Sequence, residues 1–114
     1  MKIQRVYGSF LPRLLGARAF VFYPWIIFKH DKQTMAANPA DTKGLFRHEW
    51  QHVIQVRRVG WLRFYASYLW QQITVGYRDN KWEVEARANR YSKMPEECAR
   101  LFHEDFPAIR TVSP

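Results

Sequence analysis

Apolar and polar positions change rhythm twice along this chain. From Ala19 to Lys29 it reads Ala-Phe-Val-Phe-Tyr-Pro-Trp-Ile-Ile-Phe-Lys, a β-branched and aromatic run that favours strand. Pro24 cannot donate to a sheet ladder, so it marks a turn between two short strands or an edge position. A small N-terminal sheet or hairpin is expected. Residues Lys32 to Lys43 contain Asn38-Pro39 and several small polar residues, and read as a loop. Beyond them the period becomes helical. A first helix is expected from Asp41 or Thr42, either of which can cap it, to about Val59, with Gly60 as the stop. A second runs from Trp61 to about Val75 and ends at Gly76, with Leu62, Tyr65, Leu69 and Ile73 at helical spacing. Arg63, Gln71 and Gln72 make it too polar to span a bilayer, so it reads as a core or interfacial helix. Tyr77 to Asn80 is then a loop whose Asp79 or Asn80 caps a third helix, from Lys81 to about Lys93. The tail past Pro95 has room for one more helical turn, from Glu96 to His103. The expected fold class is α+β, a small sheet packed on about three helices.

Composition narrows the setting. The 114 residues suit a single domain, 1–114, and 47% hydrophobic with 17% aromatic residues is too apolar for a disordered chain. The formal net charge is +8, from 18 Lys and Arg against 10 Asp and Glu. Such a surface favours anionic partners or keeps an aromatic-rich protein soluble. The densest basic groups, Arg57-Arg58 and Arg87 with Arg90, are short pairs, so weak association with anionic surfaces is expected and no specific nucleic acid. Cys98 is the only cysteine, which excludes an internal disulfide or a thiolate metal cluster and fits a reducing, cytoplasmic setting. Pro12, Arg13 and Arg18 interrupt the N-terminal apolar stretch, unlike a secretory signal.

The chemistry concentrates in His48-Glu49-Trp50-Gln51-His52. On a helix the two histidines stand one turn apart on the same face, where two neutral imidazoles can share one zinc ion. Glu49 lies one residue's rotation away and can reach a water at the metal without being a ligand, which suits a general base. Gln55 returns to the same face, while Trp50, Val53 and Ile54 anchor the other side in the core. A zinc hydrolase needs a third protein ligand, and the candidates lie in Trp82-Glu83-Val84-Glu85-Ala86-Arg87-Ala88-Asn89. Glu83 and Glu85 are two apart on a helix and point to nearly opposite faces, so only one can serve.

The set His48-Glu49-x-x-His52-x-x-Gln55, an aromatic-rich helix, then Trp82-Glu83-x-Glu85-Ala86, resembles the gluzincin metallopeptidases, particularly the compact minigluzincins, over roughly residues 42 to 91. The resemblance implies a zincin-like core and Zn²⁺ held by His48, His52 and Glu83, the last because the family's ligand Glu often follows an aromatic residue and precedes an Ala by three. It implies Glu49 as the base in hydrolysis of a peptide or protein substrate, aligned along a strand edge to be sought in Ala19 to Lys29. Family members commonly carry an Asp four residues after the ligand Glu, which orients a zinc-bound His; this chain has Arg87 there. Glu85 competes for the ligand role, with Ala88 and Asn89 following it. Tyr77 is either a buried tyrosine with a satisfied hydroxyl or an oxyanion stabiliser. His30 and His103 read as surface residues. The rival readings are a catalytically silent zinc-stabilised domain and a basic module for nucleic acid or membrane surface.

Overall fold

In the computed structural model, which describes residues 2–109, the Ala19–Lys29 run folds as a hairpin. Strands β2 (Ala19–Phe22) and β3 (Trp25–Phe28) pair antiparallel, with Phe22 opposite Trp25 and a cis Tyr23–Pro24 peptide in the turn. A further strand, β1 (Gln4–Val6), pairs with β3 in parallel. The order β1-β3-β2 leaves β2 at an edge. Lys29 donates its amide to the Arg18 carbonyl, so by alternation Ala19 and Val21 turn their backbone groups outwards. Tyr65 occupies part of that edge: its hydroxyl donates to the Val21 carbonyl at 2.9 Å and accepts from the Tyr23 amide at 3.0 Å.

Seven helical segments accompany the sheet among the described residues: α1 (Leu11–Leu14), α2 (Lys32–Ala36), α3 (Pro39–Val59), α4 (Trp61–Thr74), α5 (Gly76–Asp79), α6 (Lys81–Ala88) and α7 (Glu96–Asp105). The architecture is α+β. The expected loop at 32–43 is largely helical. Asp31 caps α2 by accepting from the Thr34 amide at 2.7 Å, and α3 begins at Pro39, whose missing amide hydrogen suits a first turn. Asp41 and Thr42 are therefore inside α3, and Thr42 donates to the Met35 carbonyl instead of capping. Gly60, at φ +94°, makes the break before α4. The expected loop at 77–80 contains the single turn α5. Helix α6 stops at Ala88 rather than Lys93, because the chain turns through Asn89 to Ser92 to bury Met94.

Helix α3 is the centre of the molecule, with 13 of its 21 residues buried. One side presents Phe46, Trp50 and Val53 to a core shared with Ile26 and Phe28 of β3 and with Leu101 and Phe102 of α7. The Phe46 ring lies 5.8 Å from Phe28 and 5.1 Å from Phe102. Towards the other side, Val56 joins Phe64 of α4 and Trp82 of α6 in a smaller cluster. The face carrying His48 and His52 is thereby enclosed between helices. Helix α4 departs from the core role its apolar repeat suggested. Of its residues only Phe64 is buried, while Leu62, Leu69 and Ile73 are 75%, 60% and 71% exposed. Its inward face is the aromatic row Phe64, Tyr65 and Tyr68, so of the repeat read from the sequence Tyr65 points inwards and Leu62, Leu69 and Ile73 form a second stripe pointing outwards.

Candidate metal centre

His48 and His52 stand on one side of α3 with ring centroids 5.3 Å apart. Glu83 meets them from α6: its Oε1 lies 3.1 Å from His48 Nε2 and 3.2 Å from His52 Nε2. One ligand atom from each of these three buried residues falls within 4.8 Å of the others. The delivery of Glu83 has a local cause. Asn80 is fully buried, accepts from the Trp82 amide at 3.0 Å, and donates to the Tyr68 carbonyl and to Gln72 Oε1 at 3.3 and 3.1 Å. Trp82 packs against Phe64 and donates its indole N–H to Ser67. The first turn of α6 is thus pinned to α4, and the next residue is Glu83. Its other oxygen, Oε2, accepts from the Tyr68 hydroxyl.

Supporting groups orient the ligands. Gln55 is fully buried; its Nε2 donates to the Trp82 carbonyl and to Glu85, both at 2.9 Å. Its Oε1 is left to accept from His52 Nδ1 at 2.8 Å. That assignment keeps a proton on His52 Nδ1, so that a cation at the centre would take the place of the Nε2 proton shared with Glu83. Glu85 faces away from the imidazoles. It accepts from Gln51 and Gln55 and pairs with Arg58, so the structure brings Glu83, and not Glu85, to the histidines. Asn89 donates to the Glu85 carbonyl at the end of α6 and lines neither hollow of the cleft. Arg87 reaches the Arg78 carbonyl and forms no ion pair with Glu83 among the described residues. His48 Nδ1 is buried without a hydrogen-bond partner among the described protein atoms.

Electrostatics follow from this crowding. Burial alone would raise the Glu83 carboxyl, but hydrogen bonds with His48, His52 and Tyr68 hold it far below the ordinary carboxylate range. Burial would lower His52, yet its bond to Glu83 and the charges of Glu49 and Glu83 push it up to about 9. Glu49 is raised by burial, with His52 and His48 opposing the shift. Two imidazole nitrogens and a carboxylate oxygen, converging from two pinned helices, fit a borderline divalent cation such as zinc with one position open.

The centre opens into a hollow of about 390 Å³ between β2 and α4, lined by Phe20, Val21, Tyr65, Tyr68, Glu49 and His52 among others. An adjoining hollow of about 440 Å³ has His48, Glu49, Arg18 and Arg90 on its walls. Glu49 and Tyr77 line both. The chain matches no protein-family model, no curated protein and no solved structure. The site is read from its own geometry. A larger hollow of about 770 Å³, beside Lys32, Lys43 and Asp105, holds one carboxylate and no imidazole, and the His48, His52 and Glu83 group borders the smaller pair.

Tyr77 is 52% exposed, which corrects the reading of it as a buried tyrosine. Partial burial, and next the Glu83 charge, raise its hydroxyl to about 12, so it stays protonated at neutral pH. His103 is exposed on α7 and His30 is half-buried; neither lines the cleft. Sequence reasoning missed Tyr68, which binds Glu83. The available signal was its position four residues after Phe64, on the face of α4 turned towards α6.

Proposed function

We propose that the chain is a zinc-dependent metallopeptidase of the gluzincin kind, with His48, His52 and Glu83 as the metal ligands and Glu49 as the general base. The reading is supported above all by the convergence of His48 Nε2, His52 Nε2 and Glu83 Oε1 beside a buried Glu49, at a cleft bordered by a strand edge. When bound, zinc supplies Lewis acidity, which acidifies a water and polarises a carbonyl. Glu49, with its carboxyl raised by burial, accepts the water's proton on a carboxylate oxygen as the water oxygen bonds to the scissile carbonyl carbon. It then passes that proton to the amine nitrogen as the C–N bond breaks. The protonated Tyr77 hydroxyl donates to the developing oxyanion. Ala19, and Val21 through its amide, turn backbone groups towards the cleft and align an extended peptide by strand addition, the Val21 carbonyl being held by Tyr65.

The test is zinc content and peptide cleavage measured on the same preparations. Wild-type protein is expected to carry one zinc per chain and to cleave a mixed peptide library. Glu49→Gln is expected to carry the same zinc and cleave at least roughly a hundredfold more slowly. Zinc without cleavage in the wild type would reduce the chain to a metal-stabilised domain. Absence of zinc after metal loading would sink both readings.

A further inference from the structure

The outward stripe of α4 has a counterpart across the cleft. At about 100° per residue, Leu62, Ala66, Leu69 and Ile73 fall within roughly 60° of arc, with Trp70 beside them. Trp70 is 65% exposed. On the opposite side of the cleft mouth, α1 and its flanks expose Phe10, Leu14 and Leu15 at 68%, 73% and 65%. Leu15 lines both hollows together with Gln72 of α4, so the two apolar elements flank one opening. Single exposed leucines need no explanation, but a clustered set of large apolar side chains marks an interaction surface.

Charge says what that surface faces. None of the ten acidic residues lies in residues 1–30 or 50–78, whereas these two stretches carry five and four Lys and Arg. They contain β1 to β3, α1, the end of α3, all of α4 and most of α5. Four of these nine cations, Arg5, Arg18, Arg57 and Arg58, pair with carboxylates from elsewhere in the chain, and the others leave the elements that bear the apolar stripes positively charged. Among the described residues Arg13 in α1, Arg63 in α4 and Arg78 in α5 have no carboxylate partner.

We propose that this face docks on an anionic lipid bilayer. The α4 stripe and the α1 leucines enter the boundary between headgroups and acyl chains, and the arginines pair with lipid phosphates, so that the cleft mouth lies against the membrane. A second copy of the chain is a poorer occupant, because pairing two such faces brings the unpaired arginines Arg13, Arg63 and Arg78 of both copies together. Nucleic acid would match the charge but leave the stripe in water. Trp61 and Trp70, about half or more exposed, are of the residue type that settles at membrane interfaces. Among the described residues no helix is long and apolar enough to cross a membrane, so the contact is peripheral.

Flotation with phosphatidylcholine vesicles, with and without phosphatidylglycerol, tests it. Wild-type protein is expected to float with the anionic vesicles and much less with the neutral ones. Leu69→Gln with Ile73→Gln should lower the partition coefficient at least roughly tenfold while leaving the thermal midpoint unchanged, since both positions are exposed. His48→Ala should float like the wild type, which separates this result from any failure of the metal site. Absence of flotation overturns the proposal. So does flotation that the double variant leaves intact, which would make the contact purely electrostatic. A dimer in sedimentation velocity that the double variant splits, without vesicle binding, would assign the face to self-association instead.

Discussion

Gln55 holds His52 with its oxygen and both Trp82 and Glu85 with its nitrogen, while making no contact with solvent. Gln55→Leu would strand the His52 Nδ1–H in the interior and remove one of the two bonds to the Trp82 carbonyl. Zinc affinity is expected to fall roughly 10–100-fold, read by competition with a chromophoric chelator. Stability should drop by about 1–3 kcal/mol in urea. Glu83→Ala should lose the zinc and Glu85→Ala should keep it with weakened affinity; equal zinc in the two variants would overturn the ligand assignment. His48, Glu49 and His52 were legible from spacing because one helix carries all three. The choice between Glu83 and Glu85 was not, because it depends on the rotation of α6 about its axis. That rotation is set by Asn80 and Trp82 through contacts with α4, which are distant in sequence from the histidines.

At the level of elements, α6 is placed by its cap. Asn80→Ala removes a helix cap and two bonds to α4 together, and is expected to lower stability by about 1–3 kcal/mol. Because the same turn delivers Glu83, zinc affinity should fall with it, measured by the same chelator competition. Asp79→Ala, an exposed neighbour, should change neither. The long helices were readable from a period of several repeats and the hairpin from its β-branched and aromatic run around Pro24, which together give the α+β class. The single turns α1, α2 and α5 were not, because four or five residues show no period and take shape from their neighbours. Helix α4 carries apolar residues on two sides. Its sequence announced a helix but could not say which side the rest of the chain would cover.

For the molecule as a whole, the long-range tie is Arg5 with Asp105, 2.8 Å apart, joined by the Tyr7 hydroxyl at 2.6 Å from the same carboxylate. Burial alone would raise the Asp105 carboxyl, but the bonds from Arg5 and Tyr7 outweigh it and leave it below its ordinary value of 3.8. A carboxyl more acidic in the folded than in the unfolded chain stabilises the fold in its ionised form. That contribution is complete above the ordinary value and is lost as pH falls through the lowered one. The urea midpoint is expected to decline from about pH 4 downwards. Asp105→Asn should flatten part of that decline and lower the midpoint at neutral pH. Asp41 and Glu97, lowered by Arg18 and Arg57, add smaller shares because they are more exposed.

The same tie has a kinetic consequence. Arg5 and Asp105 are 100 residues apart in the chain, so closing the loop between them demands more lost chain entropy than a local contact does. A contact of this kind is expected to form after the helices and hairpin between its ends, and to be absent from the transition state. Removing it should leave the refolding rate nearly unchanged and put almost the whole loss of stability into faster unfolding. Stopped-flow unfolding and refolding of Asp105→Asn would show this as a rise in one limb alone; a matching slowdown in refolding would contradict it. On that expectation the tie between strand β1 and helix α7 governs how long the folded chain lasts and not how quickly it is reached.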